Sequence, residues 1–143
     1  MIDELKARAA VVRVQFTIPG KPFAKQRPRA TRQGRVYTPA ATVSFERQVG
    51  QIAATMFSAP MAGPVRLTVE AYFPIPPSWS KRRQAEAVGA WHVQKPDVDN
   101  VVKAICDGLN RIAWADDGQV AEVVARKRWA AGTGQAVVTV EPI

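Results

Sequence analysis

The sequence predicts a small two-layer domain of the α/β class, more narrowly a mixed α+β arrangement with helices packed on one face of a mixed β-sheet. Segments of period-two apolar alternation are interleaved with segments of helical period, in the order strand, helix, strand, short helix, helix, strand, strand. The last two strand-like segments flank Ala131-Gly132-Thr133-Gly134, a pattern that predicts an antiparallel hairpin. At 143 residues, 47% hydrophobic and 22% charged, the chain fits one domain with a real core.

Residues 1–10 alternate charged and small side chains without an apolar stripe, so they are expected to be a frayed or short helical extension to a domain over residues 11–143. From Val11 to Ile18, Val12, Val14, Phe16 and Ile18 share one face, which predicts a strand ended by Pro19-Gly20. Lys21 to Arg35 is punctuated by Pro and Gly and reads as a loop. Thr38-Pro39 predicts an N-cap followed by Pro at the first helical position. The helix that follows, over residues 39–57, carries Val43, Val49, Ile52, Ala53 and Met56 on one face.

Val65 to Phe73 alternates as a second strand, with Val65, Leu67, Val69 and Ala71 inward. Pro74 to Trp79 breaks it, and Ser80 is placed to cap a short helix through Ala87. The next helix puts Val102, Ile105, Cys106, Leu109 and Ile112 on a core-facing stripe. Val120 to Trp129 and Gln135 to Val140 complete the set as strands.

Several classes are excluded. The single Cys106 rules out an internal disulfide and reads as a small core residue. Met1 to Lys6 has acids where a signal peptide needs a positive start, and no run of eighteen apolar residues exists, so a cytoplasmic protein without a membrane role is expected.

Charge is the first functional signal. Twenty basic residues against twelve acids give a formal net charge of +8, which suggests a polyanionic partner. Lys21, Lys25, Arg27, Arg29, Arg32 and Arg35 form a run with no acid, and Arg suits bidentate phosphate contact. Lys81, Arg82 and Arg83 form a second cluster, equally readable as a polar helix face. Against this background, five of the twelve acids lie between Asp97 and Asp117, opposed only by Lys103 and Arg111. A divalent cation explains such an acidic island, because hard cations take carboxylates plus water and substrate phosphate oxygens.

The spacing within the island is suggestive. Pro96 biases Lys95 toward extended backbone, so Asp97 and Asp99 are expected in an extended segment where alternate side chains share a side. Asn100, Lys103 and Asp107 share the polar face of the following helix, and Lys103 stands where an ammonium could hold a scissile phosphate. Its simpler role is an ion pair with Asp99 or Asp107. Asp116-Asp117-Gly118 alone reads as a turn, yet a carboxylate returning after the helix can complete a metal site. Glu46 and His92 are weaker candidates, better read as a solvent-facing helix acid and a structural imidazole.

The pattern Lys95-Pro96-Asp97-x-Asp99-Asn100-x-x-Lys103-x-x-x-Asp107-x-Leu109-Asn110, then Trp114-x-Asp116-Asp117-x-Gln119-Val120, resembles the signature of the RusA family of Holliday junction resolvases. Phe16 to Pro22, Arg27-Pro28-Arg29, Val36 to Ala40 and Gly63 to Arg66 are similar to the family's N-terminal half, so the likeness covers about residues 12–142. It implies a RusA-like fold and a homodimeric, Mg2+-dependent endonuclease, with Mn2+ as the alternative ion, acting on branched DNA and four-way junctions. By the same resemblance the metal-binding and catalytic carboxylates fall on Asp97, Asp99 and Asp117 and the catalytic lysine on Lys103, with Asn100, Asp107 and Asp116 supporting. Gln26, where the family frequently has Gly, is a departure outside the catalytic set.

Two other readings stay open: a branched-DNA-binding protein without nuclease activity, and a flap or branch nuclease of broader range. Resolution of a two-fold junction by one set of carboxylates per chain calls for a C2 dimer, and Trp79, Trp129 and Met61 are the apolar residues expected at its interface.

Overall fold

The computed structural model describes residues 12–143, and the expected N-terminal extension lies outside the described residues. In chain order the elements are β1 (Val14–Pro19), β2 (Arg29–Ala30), β3 (Val36–Tyr37), α1 (Ala40–Met56), β4 (Val65–Pro74), α2 (Lys81–Ala87), α3 (Val98–Leu109), β5 (Val120–Ala130) and β6 (Gln135–Pro142). A short 3-10 turn, Asp117–Gln119, leads into β5. The expected mixed sheet is present, with four strands in the order β1-β6-β4-β5.

The register explains why helices cover one face. Phe16, Val138 and Val69 are aligned across β1, β6 and β4, as are Val14, Val140 and Leu67. These residues and Ala71 and Phe73 form the inner face, and all except half-buried Val14 are buried. The opposite face is polar: Arg66 on β4 pairs with Glu122 on β5 and, at 3.2 Å, with Glu141 on β6. Helices α1 and α3 close the inner face, where Val49, Ala53, Val101, Ile105 and Leu109 join the sheet residues in one cluster. Each fully buried Leu or Ile there contributes about 1.5–3 kcal/mol.

The sequence expectation of a terminal hairpin is corrected. β5 pairs parallel with β4, and β6 pairs antiparallel with β1 and β4, so β4 lies between the two strands that were expected to pair. The connection crosses the end of β4. Gly134 has φ +86, and a Cβ there would meet Tyr72 O at 2.8 Å, a close backbone approach that only Gly permits.

Three further expectations shift. Pro39, not Thr38, is the N-cap of α1, without a side-chain cap. The buried face of that helix carries Thr42 with Val49 and Ala53, while Val43 and Met56 are exposed. The basic loop contains a two-residue antiparallel ribbon, Arg29 with Tyr37 and Ala30 with Val36. Ser80 does cap α2, its Oγ accepting from the Arg83 N–H at 3.2 Å.

The proposed interface residues are used by the chain itself. Trp129 is buried and meets Trp79 edge-on at 5.0 Å between centroids, Arg83 stacks on Trp79 at 3.6 Å, and Met61 packs on the core beside Trp114. His92 is buried between Phe73 and Trp129, at 3.9 and 4.3 Å between ring centroids, and its Nδ1 has no hydrogen-bond partner. Burial, with Lys127 nearby, lowers its pKa. The imidazole is therefore a core aromatic.

Candidate active site

α3 begins at Val98, so Asp97 and Asp99 are not two residues of one extended segment as expected. Asp97 is the N-cap, with extended backbone at φ −68 and ψ 148, and Asp99 lies in the first helical turn. The bias of Pro96 acts on the residue before it, and a first-turn acid is favoured by the helix dipole. Lys95 Nζ donates to both Asp97 oxygens at 3.0 and 3.2 Å. Behind them, Lys127 Nζ on β5 donates to Gln94 O at 2.7 Å and Pro96 O at 2.6 Å, tying the approach to α3 onto the sheet. Burial lowers the Lys127 pKa, with Asp97 opposing that shift.

The core face of α3 is rotated from the expected stripe. Val101, Ala104, Ile105, Gly108 and Leu109 are buried, whereas Val102, Cys106 and Ile112 are half-buried. The cause is the crossing with α1: a Cβ on Gly108 would lie 2.7 Å from Val49 Cβ and 3.2 Å from Glu46 O. The rotation leaves Val102 and Cys106 facing a cleft between α3 and β5. Burial first, then Asp117 and Asp107, pushes the Cys106 thiol up to about 12, so it stays protonated at neutral pH and is no nucleophile.

Asp117 is set by the turn that precedes β5. The indole N–H of Trp114, which is fully buried, donates to Asp117 Oδ1 at 2.8 Å. Asp116 N-caps the turn, its Oδ2 accepting from the Gly118 N–H at 2.9 Å while Gln119 Oε1 accepts from the Asp116 N–H at 3.1 Å. Gln119 Nε2 donates to Met61 O and Gly63 O, anchoring the turn to the connector before β4. Asp116 thus shapes the backbone, leaving Asp117 to face the cleft.

That cleft, about 470 Å³, is lined by Asp99, Lys103, Asp107 and Asp117 over an apolar floor that includes Val102 and Cys106. Asp97 is not among its lining residues. Among the described residues no three His, Cys, Asp or Glu side chains converge closely enough to hold a metal ion. Uncompensated carboxylates repel one another, and Asp97 is turned to Lys95 instead. Asp99 and Asp117, the cleft carboxylates without an ion-pair partner among the described residues, nonetheless fit Mg2+, which keeps several waters and is bound through one or two carboxylates plus substrate phosphate oxygens.

On the other side of Lys103 is a hollow of about 240 Å³, lined by Lys25, Gln26, Arg27, Pro28, Asn100 and Lys103. Lys103 therefore forms a wall common to the acidic cleft and the basic segment. Lys21, Arg27, Arg29, Arg32 and Arg35 are exposed, as are Lys81, Arg82 and Arg83 on α2, where Arg82 pairs with Glu86 at 3.1 Å. Lys25 differs: its Nζ donates to Asp107 and lies 3.8 Å from Glu46, which accounts for that acid.

Sequence reasoning gave no role to Trp114, Gln119, Lys127 or Gly108. Trp114 and Gln119 were visible only as fixed positions of the motif, and Gly108 as a glycine inside a helical pattern. Lys127 carried no signal, because its partners are thirty-three and thirty-one residues away.

A family model described as endodeoxyribonuclease RusA matches residues 19–141. The chain is also 36% identical over 122 residues to the uncharacterized protein YqaN of Bacillus subtilis (strain 168), a match covering 80% of this chain and 86% of that relative. Among the described residues no helix is long and apolar enough to cross a membrane. With the match spanning both the basic segment and the acidic cleft, the chain belongs to the RusA endodeoxyribonuclease family.

Proposed function

We propose that the chain is a divalent-metal-dependent, structure-specific endodeoxyribonuclease that resolves four-way DNA junctions by paired phosphodiester hydrolysis, in DNA recombination and repair. The observation that carries this reading is the position of Lys103 between the cleft with Asp99 and Asp117 and the hollow with Arg27. A scissile phosphate needs both surroundings, cations to hold an anion and carboxylates to hold a cation. Family membership supports the reaction class.

Asp99 and Asp117 would hold Mg2+, or Mn2+ in its place, with Asp97 a third ligand once it is released from Lys95. When bound, the ion supplies an activated water and charge stabilisation at the leaving oxygen. Lys103 holds a non-bridging oxygen of the scissile phosphate and balances charge as the bond breaks. The Trp114 indole keeps Asp117 aimed, and Lys127 fixes the backbone before Asp97. Lys21, Arg27, Arg29, Arg32 and Arg35, with Lys81, Arg82 and Arg83, neutralise phosphates along the junction arms. Because a two-fold junction needs two cuts and each chain carries one cleft, the acting form is a C2 homodimer.

The test is incubation with a labelled four-way junction, a matched duplex and a single strand, each with Mg2+ or EDTA. Symmetric paired nicks in the junction alone, abolished by EDTA, are the expected result. Binding without nicking would favour a branched-DNA-binding protein, and equal cutting of flaps a broader branch nuclease.

A further inference from the structure

Within the basic segment Lys25 stands apart. Its neighbours in the run are exposed, whereas its own side chain is 26% exposed and its ammonium is committed to two acids, Asp107 on α3 and, at 3.8 Å, Glu46 on α1. The hydrogen bond to Asp107 is the main cause of a raised Lys25 pKa, so the ammonium keeps its charge at neutral pH. The backbone is fixed as well, the Lys25 N–H donating to Asn100 O at 3.1 Å. Phe23 stacks on Phe45 at 4.9 Å, and Gln26 exchanges hydrogen bonds with the buried Thr42 hydroxyl.

Asp107 is four residues beyond Lys103, the spacing at which helix ion pairs form. Both side chains line the same cleft, yet among the described residues Lys103 makes no ion pair. Of the two acids four residues from Lys103, Asp107 is already occupied by Lys25, while Asp99 is the one that the proposed metal ion would take up. From this arrangement we infer that Lys25 is a positioning residue for phosphodiester cleavage: by neutralising Asp107 it leaves the Lys103 ammonium free to meet the scissile phosphate. The inference rests on the nuclease reading above. It removes Lys25 from the residues that grip DNA and assigns it to the geometry of the cleft.

The experiment compares wild type, Lys25→Met, Lys25→Arg and the double variant Lys25→Met with Asp107→Asn. Single-turnover nicking of a labelled four-way junction is measured at saturating protein with Mg2+, alongside junction Kd. Lys25→Met should slow nicking by about tenfold or more with Kd changed less than about threefold. The double variant should recover most of that rate, because residue 107 no longer competes for the Lys103 ammonium, and Lys25→Arg should stay near wild type. Should Lys25→Met fail to fold, Lys25→Gln with and without Asp107→Asn makes the same comparison.

Wild-type nicking by the neutral Lys25 variants would overturn the inference while leaving the nuclease reading intact. So would a loss seen only in Kd, which marks a direct phosphate-binding role, or a loss of rate that Asp107→Asn does not relieve, which marks a structural staple. No nicking by wild type would instead overturn the nuclease reading.

Discussion

The indole N–H of Trp114, a residue with no exposed surface, donates to Oδ1 of the exposed Asp117 at 2.8 Å. A carboxylate at the edge of the cleft is thereby aimed from inside the core. Trp114→Phe deletes the donor together with part of the buried ring volume, so the unfolding midpoint is measured beside the cleavage rate. A hydrogen bond to a charged group contributes about 1.5–3 kcal/mol when buried, and an exposed acceptor realises less. Cleavage should fall roughly tenfold with junction Kd unchanged. An unaltered single-turnover rate would mean that Asp117 needs no such guidance.

Gly108→Ala tests the crossing of α1 and α3. Ala gains about 1 kcal/mol of helix propensity over Gly, but its Cβ would sit 2.7 Å from Val49 Cβ. Neither Cβ can rotate away, so overpacking toward the upper end of about 1–3 kcal/mol should win, leaving a net loss of about 1–2 kcal/mol in urea unfolding. A stabilised variant would show that the helices part freely.

His92 makes stability depend on pH in a defined direction. Its folded pKa lies below the ordinary 6.5 because the ring is buried beside Lys127. The buried neutral ring contributes stability that is fully present above the unfolded pKa and is lost as pH falls through that value toward the lower folded one. His92→Phe should flatten the decline in urea midpoint between about pH 7 and pH 5, a window above most carboxylate titration. Identical slopes for the two proteins would place the proton uptake elsewhere.

The exposed guanidiniums of the basic segment are tested by replacing Arg27, Arg29, Arg32 and Arg35 together with Ala. The slope of log K against log salt should flatten by about 0.9 for each phosphate that the variant no longer neutralises, up to about four phosphates. An unchanged slope would make the segment a solvated surface.

How much of this was legible depends on the range of each interaction. The Ser80 cap and the alternation of β4 are local and were read correctly, whereas β4 lies between β5 and β6 for reasons that no turn sequence encodes. The phase of α3 was missed because Gly108 counts as neither apolar nor packing in a periodicity argument, although its missing side chain sets the crossing. The motif spacing did single out Asp99, Lys103 and Asp117, which share the cleft. Asp97 turned to Lys95 was not foreseen, nor was Lys25 bound to an acid eighty-two residues away. A nonlocal ion pair leaves no local pattern, and this one lay inside a charge run.

On the proposed reading the acidic cleft performs hydrolysis while the basic surface binds. The most direct measurement is single-turnover nicking of a labelled four-way junction by Asp99→Asn at saturating protein with Mg2+, with Kd determined on the same junction. Nicking should fall by about a thousandfold or more, as expected for loss of a metal-holding carboxylate. Junction Kd should be unchanged or tighter, since a negative charge near phosphate has been removed. Wild-type nicking by Asp99→Asn would contradict the account.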